Sequence, residues 1–442
     1  MTISTETQST ILRDMGGGVI LRRLEERDLD ALYAMHTEIF EEGAAAAARA
    51  VIDGYARVGS RELFVVAEDT ATGQLVSSLG LLQKTLTYES IPFTVGIPEW
   101  VLTRPDYRRR GLIRAMMEIV HQWSEARGDL VQLIDGIPNY YRQFGYDMAM
   151  DNGAARVGFK AYVPKLKEGE TEAYTFRPAT LEDAAFIAEV ATYGKHRYAV
   201  ANTTDADFWV GLIQHSQIAS AYRRVIQIIQ TAEGEPVGFI QHSSQLRGDH
   251  QLSVTRLELM PGVSWLAVSL PVLRYVAATG EEYGKRDGKE FGTYNFWLGT
   301  EHPIYEVLHD KLPRIFPIYA WYVRIPDLVG FIRHIAPALE GRLAQSLLPG
   351  HTGAIRLSFY RSGIRLAFEA GKLVTVEPYM PMPDEGNGGD AFFPDLTFYQ
   401  LLLGRHDIDE MMALYPDCRV EVDGPHALLR ALFPRHVSDV WV

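Results

Sequence analysis

The sequence has a single cysteine, Cys418, among 442 residues. That excludes an intramolecular disulfide and any zinc site built from thiolates. Its 13 histidines include no H-E-x-x-H pair or comparable cluster, so no metal site is expected. No run of 18 apolar residues occurs, which argues against a membrane-spanning helix. Residues 1–20 lack the basic start and apolar core of a secretory signal, and the expected localisation is cytoplasmic. Excess positive charge is missing too: 43 Lys and Arg stand against 56 Asp and Glu, a net charge of −13. Such a surface repels nucleic acid and anionic membranes and mildly favours a cationic ligand, although an acidic balance also serves solubility alone. Two common phosphate loops are absent, since there is neither G-x-x-x-x-G-K-[ST] nor G-x-G-x-x-G.

What is present is a globular composition, 47% hydrophobic and 22% charged, on a chain long enough for two or three domains. One stretch organises it. Residues 101–114 read V-L-T-R-P-D-Y-R-R-R-G-L-I-R. An apolar strand ends at Thr103, Pro105 turns the chain, and three arginines precede Gly111. From Leu112 onward Leu112, Met116, Ile119 and Trp123 recur at helical spacing, while Glu118, Gln122 and Glu125 fall on the other face. A strand, an arginine-glycine turn and a helix start bring open backbone N–H groups, the positive end of a helix dipole and full charges to one point. A phosphate group fits there. The rival reading is a solvated basic turn.

Upstream, residues 1–17 are polar and run into three glycines, so they are expected to be a mobile leader. A strand at 19–24 precedes a helix at 28–40 with Asp28 as candidate cap, and the alanine-rich 41–51 continues as helix. Strands at 63–68 and 75–83 flank a turn, and 95–103 leads into the arginine loop. After the helix, 130–135 is a buried-type strand. Then comes Tyr141-Arg142-Gln143-Phe144-Gly145-Tyr146, a Y-x-x-F-G-Y segment, and a further strand at 154–162.

The run 108–113 resembles the [QR]-x-x-G-x-[GA] pyrophosphate loop of GNAT-type N-acetyltransferases, with Ile113 where that family has Gly or Ala. The Y-x-x-F-G-Y segment is the second mark of these enzymes and stands in family order. Plain core aromatics are the competing reading of Tyr140, Tyr141, Phe144 and Tyr146. The sequence then repeats with a period near 155 residues: 175–183 parallels 20–28, with Arg177 for Arg22 and Asp183 for Asp28. The second copy has Met260-Pro261-Gly262-Val263-Ser264-Trp265 in place of the arginine loop, so it has lost the anion site. From about residue 328 a helix at 331–347, a small meander, an acidic loop at 381–390 and three short helices look like a sterol carrier protein fold.

An active GNAT domain (18–165), a degenerate one (172–325) and a sterol-carrier-like domain (328–442) resemble the enhanced intracellular survival (Eis) type N-acetyltransferases. The implied fold class is α/β (α+β). The resemblance implies an acetyl-coenzyme A-dependent enzyme, without metal, acting on amines such as aminoglycosides or lysine side chains, and a homo-oligomer, possibly a hexamer. It also implies site residues. Val101, Leu102 and Thr103 would face the pantetheine arm. Arg108, Arg109, Arg110, Gly111, Leu112, Ile113 and Arg114 would surround the pyrophosphate, and Gly136 and Ile137 would touch the coenzyme. Tyr141 would be the general acid and the C-terminal carboxylate of Val442 the general base, although that family usually ends in phenylalanine.

The chemistry asks for a deprotonated amine, a stabilised oxyanion and a protonated leaving thiolate. An alkylammonium titrates near about 10.4, so a base or water relay must act at neutral pH. A phenol near about 10 can donate to a thiolate whose acid titrates near about 8.5. Glu99, placed by strand alternation on the face of Val101 and Thr103, is the alternative base, and His36 a more remote one. Trp100, Tyr33 and Phe40 line either a pocket or the core. Two other functions stay open on sequence grounds: a protein lysine or N-terminal acetyltransferase, and a lipid-binding protein with vestigial transferase domains.

Overall fold

The structure, a computed structural model, describes residues 11–40, 42–52, 61–214, 223–248, 250–382, 388–420 and 424–441. Val442 and part of the acidic loop (383–387) lie outside the described residues. The chain divides into two units, Met1–Lys84 with Thr94–Ile134, and Thr85–Phe93 with Asp135–Val442.

The first unit is built on β1 (Ile11–Gly16), β2 (Val19–Arg23), β3 (Phe64–Asp69), β4 (Gln74–Tyr88), β5 (Ile91–Thr103) and β6 (Val131–Ile134), side by side in chain order. The last residues of β4 and the first of β5 belong to the second unit. Helices α1 (Leu29–Ile39) and α2 (Glu42–Ile52) follow β2, and α3 (Leu112–Ala126) joins β5 to β6. Of the apolar stripe read from the sequence, Leu112, Met116 and Ile119 are buried on α3, and Trp123 is half-buried with Arg23 over its ring. Leu32 and Met35 of α1 pack with Phe64, Val66, Leu75 and Leu102 in one core.

Two expectations fail here for physical reasons. Residues 11–16 are not a leader but β1, paired with β2 from Ile11↔Arg22 to Gly16↔Val19. Gly16, Gly17 and Gly18 all take positive φ, which is what a tight hairpin connection needs, so glycine marks a turn here rather than mobility. Asp28 makes no side-chain cap to α1. Its two oxygens instead accept from Arg22 at 2.6 and 2.8 Å, and one also accepts from the Glu25 amide. Burial pushes the Asp28 carboxyl up, but Arg22 and that amide hold it below its ordinary range.

Gly96 fixes where α3 sits on β5. Ser124 and Gln83 both donate to the buried Asp129, and Arg127 pairs with it at 2.6 Å. A Cβ on Gly96 would lie 2.2 Å from Ser124 Oγ and 2.9 Å from Asp129 Oδ2. Gly96→Ala is therefore expected to lower the stability of this unit by about 3 kcal/mol, the scale of overpacking combined with a displaced buried ion pair. Thermal unfolding followed by tryptophan fluorescence would register it, and an unchanged midpoint would refute it.

The second unit continues with β7 (Asp147–Asn152), β8 (Ala155–Phe159), β9 (Tyr174–Pro178), α4 (Ala184–Lys195), β10 (Val200–Asn202) and α5 (Ala206–Gln214). Next come β11 (Arg224–Thr231), β12 (Pro236–Ser243), β13 (Gln251–Leu259), the long α6 (Trp265–Asp287) and β14 (Thr293–Phe296). Then follow α7 (Pro303–Val307), β15 (Arg314–Phe316), β16 (Tyr319–Arg324), α8 (Leu328–His334) and α9 (Ala336–Gln345). The last part holds β17 (Gly353–Ser358), β18 (Gly363–Glu369), β19 (Lys372–Tyr379) and β20 (Ala391–Phe392). It closes with α10 (Phe398–Leu402), α11 (Ile408–Leu414), β21 (Arg419–Val420) and α12 (Gly424–Leu432). Seven strands form a sheet in the order β15-β8-β14-β13-β12-β11-β9, and five form another, β19-β18-β17-β20-β21. The helix expected at 331–347 is two, because Pro337 in the first turn of α9 cannot continue the hydrogen-bond ladder of α8. The sequence parallel between 20–28 and 175–183 has a local counterpart: Arg177 grips Asp183 through two bonds of 2.7 Å, as Arg22 grips Asp28. Helices beside several sheets make the fold class α+β.

Candidate active site

Strand β5 ends at Thr103 and a single tight turn, Pro105–Tyr107, aims the chain at α3. That turn is braced on three sides. Arg104 pairs with Glu38 at 2.7 Å and donates to the Leu75 carbonyl at 3.0 Å. Tyr107 donates to Asp69, a bond that holds the Asp69 carboxyl low and pushes the phenol up. Arg108 Nε returns to the Thr103 carbonyl at 3.2 Å, and Arg110 folds back on the Asp106 carbonyl at 2.9 Å and the Tyr107 ring. Arg109 is exposed at φ 62°, and Gly111, at φ 77°, stands at the N-cap of α3 with no side chain to close the helix start. Leu112 is buried and pins the first turn, while Ile113 is half-buried and Arg114 exposed.

The consequence is a run of open donors. Among the described residues, the amides of Arg109, Gly111, Leu112 and Ile113 meet no backbone acceptor, while Arg110 closes a turn. With alternating left-handed residues and three arginines beside them, these amides can take the oxygens of a phosphate or diphosphate. The start of α6 differs. There Ser264 stands at the N-cap and its hydroxyl accepts from the Ala267 amide at 3.3 Å. A serine that closes its own helix and a loop without arginine make a poor anion site.

Upstream of the loop, β5 contains a left-handed residue. It pairs with β6 only at Val95↔Val131 and Gly96↔Gln132. Trp100 takes φ 51°, a left-handed conformation that costs a bulky residue roughly 1–2 kcal/mol. A residue of this kind inside a strand interrupts the two-residue alternation. The periodicity that set Glu99 on the face of Val101 and Thr103 therefore does not carry across Trp100, and Glu99 is half-buried with bonded partners of its own. Val101 and Thr103 are half-buried and Leu102 buried; the Leu102 carbonyl accepts from Ser77 Oγ at 2.6 Å, which also meets Thr103 Oγ1 at 2.8 Å. Trp100, Tyr33 and Phe40 pack on the core around Phe64.

His36 is fully buried, with Nε2 3.0 Å from Ser78 Oγ, and burial pushes its imidazole down to about 4. Neutral at physiological pH and sealed from solvent, it is badly placed to collect protons from a substrate amine. The serine pair Ser77-Ser78 escaped the sequence reading. Two adjacent hydroxyls within the apolar stretch 75–82 were the available signal.

In the second unit, Tyr141 opens a turn of helix, Tyr141–Phe144, and is 4% exposed. Its ring meets Tyr140 at 5.3 Å and Tyr322 at 5.6 Å, both edge-on. Gly136, at φ 117°, lies beside the Tyr141 hydroxyl; a Cβ there would be 3.8 Å from it. The Gly136 carbonyl accepts from Tyr319 at 3.2 Å, and Ile137 is 53% exposed. Asp135, passed over in the sequence, precedes them. Burial pushes its carboxyl up, against the pull of Asn152, which donates at 2.9 Å.

Val442 is outside the described residues, but the segment before it is firmly held within the second unit. Asn202 exchanges two hydrogen bonds with the backbone of Trp441, at 2.8 and 3.0 Å. Arg256 stacks on the Trp441 ring and pairs with Asp439 at 3.3 Å, and Trp321 donates to the Val440 carbonyl. The same buried cluster includes Arg197 and Glu258, whose carboxyl is pushed up to about 7 by burial.

Residues 21–149 match the acetyltransferase (GNAT) domain family. No curated protein matches the chain. Solved structures share its fold over nearly its whole length. A GCN5-related N-acetyltransferase from Anabaena variabilis has a TM-score of 0.64 at 13% identity, covering 95% of this chain and 98% of its own. A probable N-acyltransferase of unknown function from Enterococcus faecalis scores 0.64 at 14% identity, over 95% and 97%. Eis1 from Mycobacterium abscessus scores 0.55 at 15% identity, over 94% and 97%. At these identities the likeness is one of fold. No helix among the described residues is long and apolar enough to cross a membrane. The arginine loop and its open amides thus lie inside residues 21–149, and over those residues the chain carries an acetyltransferase (GNAT) domain, the domain of an acyltransferase enzyme.

Proposed function

We propose that this enzyme moves an acetyl group from acetyl-coenzyme A to the primary amine of a small cationic molecule, aminoglycoside- or polyamine-like. The observation that carries the reading is the group of open amides at Arg109 and at Gly111 to Ile113 with arginines on either side, a donor set suited to a diphosphate. In this reading the backbone of Val101 to Thr103 receives the pantetheine arm and a strand amide stabilises the oxyanion. The amine nitrogen attacks the thioester carbon, the carbon–sulfur bond breaks, and Tyr141 gives its proton to the departing thiolate. The carboxylate of Val442 is the proposed base, and Gly136 and Ile137 the proposed contacts beyond β6. The proposed organisation is an active GNAT domain, a second one without the anion loop, and a sterol-carrier-like domain, in a cytoplasmic homo-oligomer. The net charge of −13 supports a cationic acceptor.

Calorimetry with coenzyme A, followed by a thiol-release screen across aminoglycosides, polyamines, arylamines and peptides, tests this reading. Absence of any binding heat would end it, and turnover only with peptides would move the acceptor to protein amines. Tyr141→Phe is expected to lower kcat more than tenfold with coenzyme affinity unchanged, because only the proton donor is removed. A wild-type kcat in that variant would take Tyr141 out of the mechanism.

A further inference from the structure

The left-handed residue in β5 is held by contacts that the reaction scheme leaves unused. The Trp100 ring stacks on Phe64, with centroids 5.7 Å apart and planes at 17°. Phe64 reaches that position because Gly80 has no side chain; a Cβ there would lie 2.7 Å from the Phe64 ring. On the backbone side, Ser78 Oγ donates to the Trp100 carbonyl at 3.4 Å and lies 3.0 Å from His36 Nε2. A hydroxyl has one hydrogen. When Ser78 spends it on the carbonyl, His36 must donate from Nε2, which leaves Nδ1 as a bare acceptor. Nδ1 is buried and has no partner among the described residues. An apolar side chain would fill the same space without that desolvation penalty, so the histidine calls for another physical reason.

We propose that His36 and Ser78 are positioning residues for acetyl transfer: they fix the peptide that follows Trp100, and thereby the direction in which the amides of Val101 to Thr103 point. The inference rests on the proposed use of those amides. Pairing of β5 with β6 stops at Gly96, so on that side β6 does not set the orientation of the later peptides. The Ser78 bond acts on the Trp100 peptide itself, and His36 orients Ser78 from α1, 42 residues away in sequence. A peptide free to rock between two orientations would still bind coenzyme through the arginine loop. It would lose donor alignment in the transition state.

The test compares His36→Gln, His36→Asn, His36→Leu and Ser78→Ala by kcat, KM, coenzyme A affinity and pH profile. Glutamine brings an amide N–H out to the reach of Nε2, whereas asparagine extends only as far as Nδ1. The expected result is a kcat loss of about tenfold in H36L, H36N and S78A, coenzyme affinity within twofold of the parent, and recovery of most of kcat in H36Q. Above pH 6.5, where the buried imidazole is neutral, the profile of H36Q should keep the parent's shape. Wild-type kcat in both H36L and S78A, no advantage of H36Q over H36L, or a profile of H36Q that departs from the parent's above pH 6.5 would each overturn the inference. Should H36L fail to fold, S78A removes a single oxygen and decides alone. A parent protein that binds no coenzyme would sink the acetyltransfer reading itself, whereas an active parent with an indifferent Ser78 sinks only this one.

Discussion

Replacing Arg108, Arg109 and Arg110 together with glutamine is expected to weaken coenzyme A binding by about 100-fold while the chain stays folded. All three side chains are exposed, and the bonds that Arg108 and Arg110 make are to nearby backbone carbonyls. The fold near the loop depends instead on Arg104, Tyr107 and Leu112, which the substitution leaves alone. What disappears is full charge next to the open amides. The amides and the helix dipole remain and should give weak residual binding. Raising ionic strength should therefore weaken the parent strongly and the variant little, since screening acts mainly on the lost charges. Calorimetry at two salt concentrations reads both effects. Equal affinity of parent and variant would show that the loop is an ordinary solvated turn.

Acid should unfold both units between roughly pH 6.5 and pH 4. His36 in the first unit and His242 in the second are pushed down from 6.5 to about 4 by burial, and His302 to about 3. Each is neutral in the native chain and protonates readily once exposed, so unfolding takes up protons as pH falls. Their contribution is intact above 6.5 and is lost progressively down to the native values. For His36 and His242 the loss is about 3 kcal/mol each by pH 4, because every tenfold change in proton affinity between the folded and unfolded chain is worth about 1.4 kcal/mol. Glu258 works the other way, because its raised carboxyl favours the folded state as pH drops from about 7. It offsets part of the loss in the second unit and none in the first. Near-ultraviolet circular dichroism through an acid titration checks this, and His36→Gln should flatten the decline of the first unit. A flat signal down to pH 4 would contradict the burial of these imidazoles.

Local features were legible in the amino-acid sequence alone. The amphipathic face of α3, the glycine at its start, the arginines before it and the aromatic turn at Tyr141 each follow from neighbours a few residues apart. Periodicity and turn chemistry act at that range. The Arg22–Asp28 and Arg177–Asp183 pairs were legible as a repeat, although only the fold showed that Asp28 serves Arg22 rather than the helix. Contacts between distant segments settled the rest. They turned residues 11–16 from a leader into β1, reversed Trp100 inside a strand, and tied His36 to a serine 42 residues away. The difference is one of range: a left-handed residue inside a strand or a buried hydrogen bond is fixed by groups that approach only when the chain has folded, and no local pattern records them.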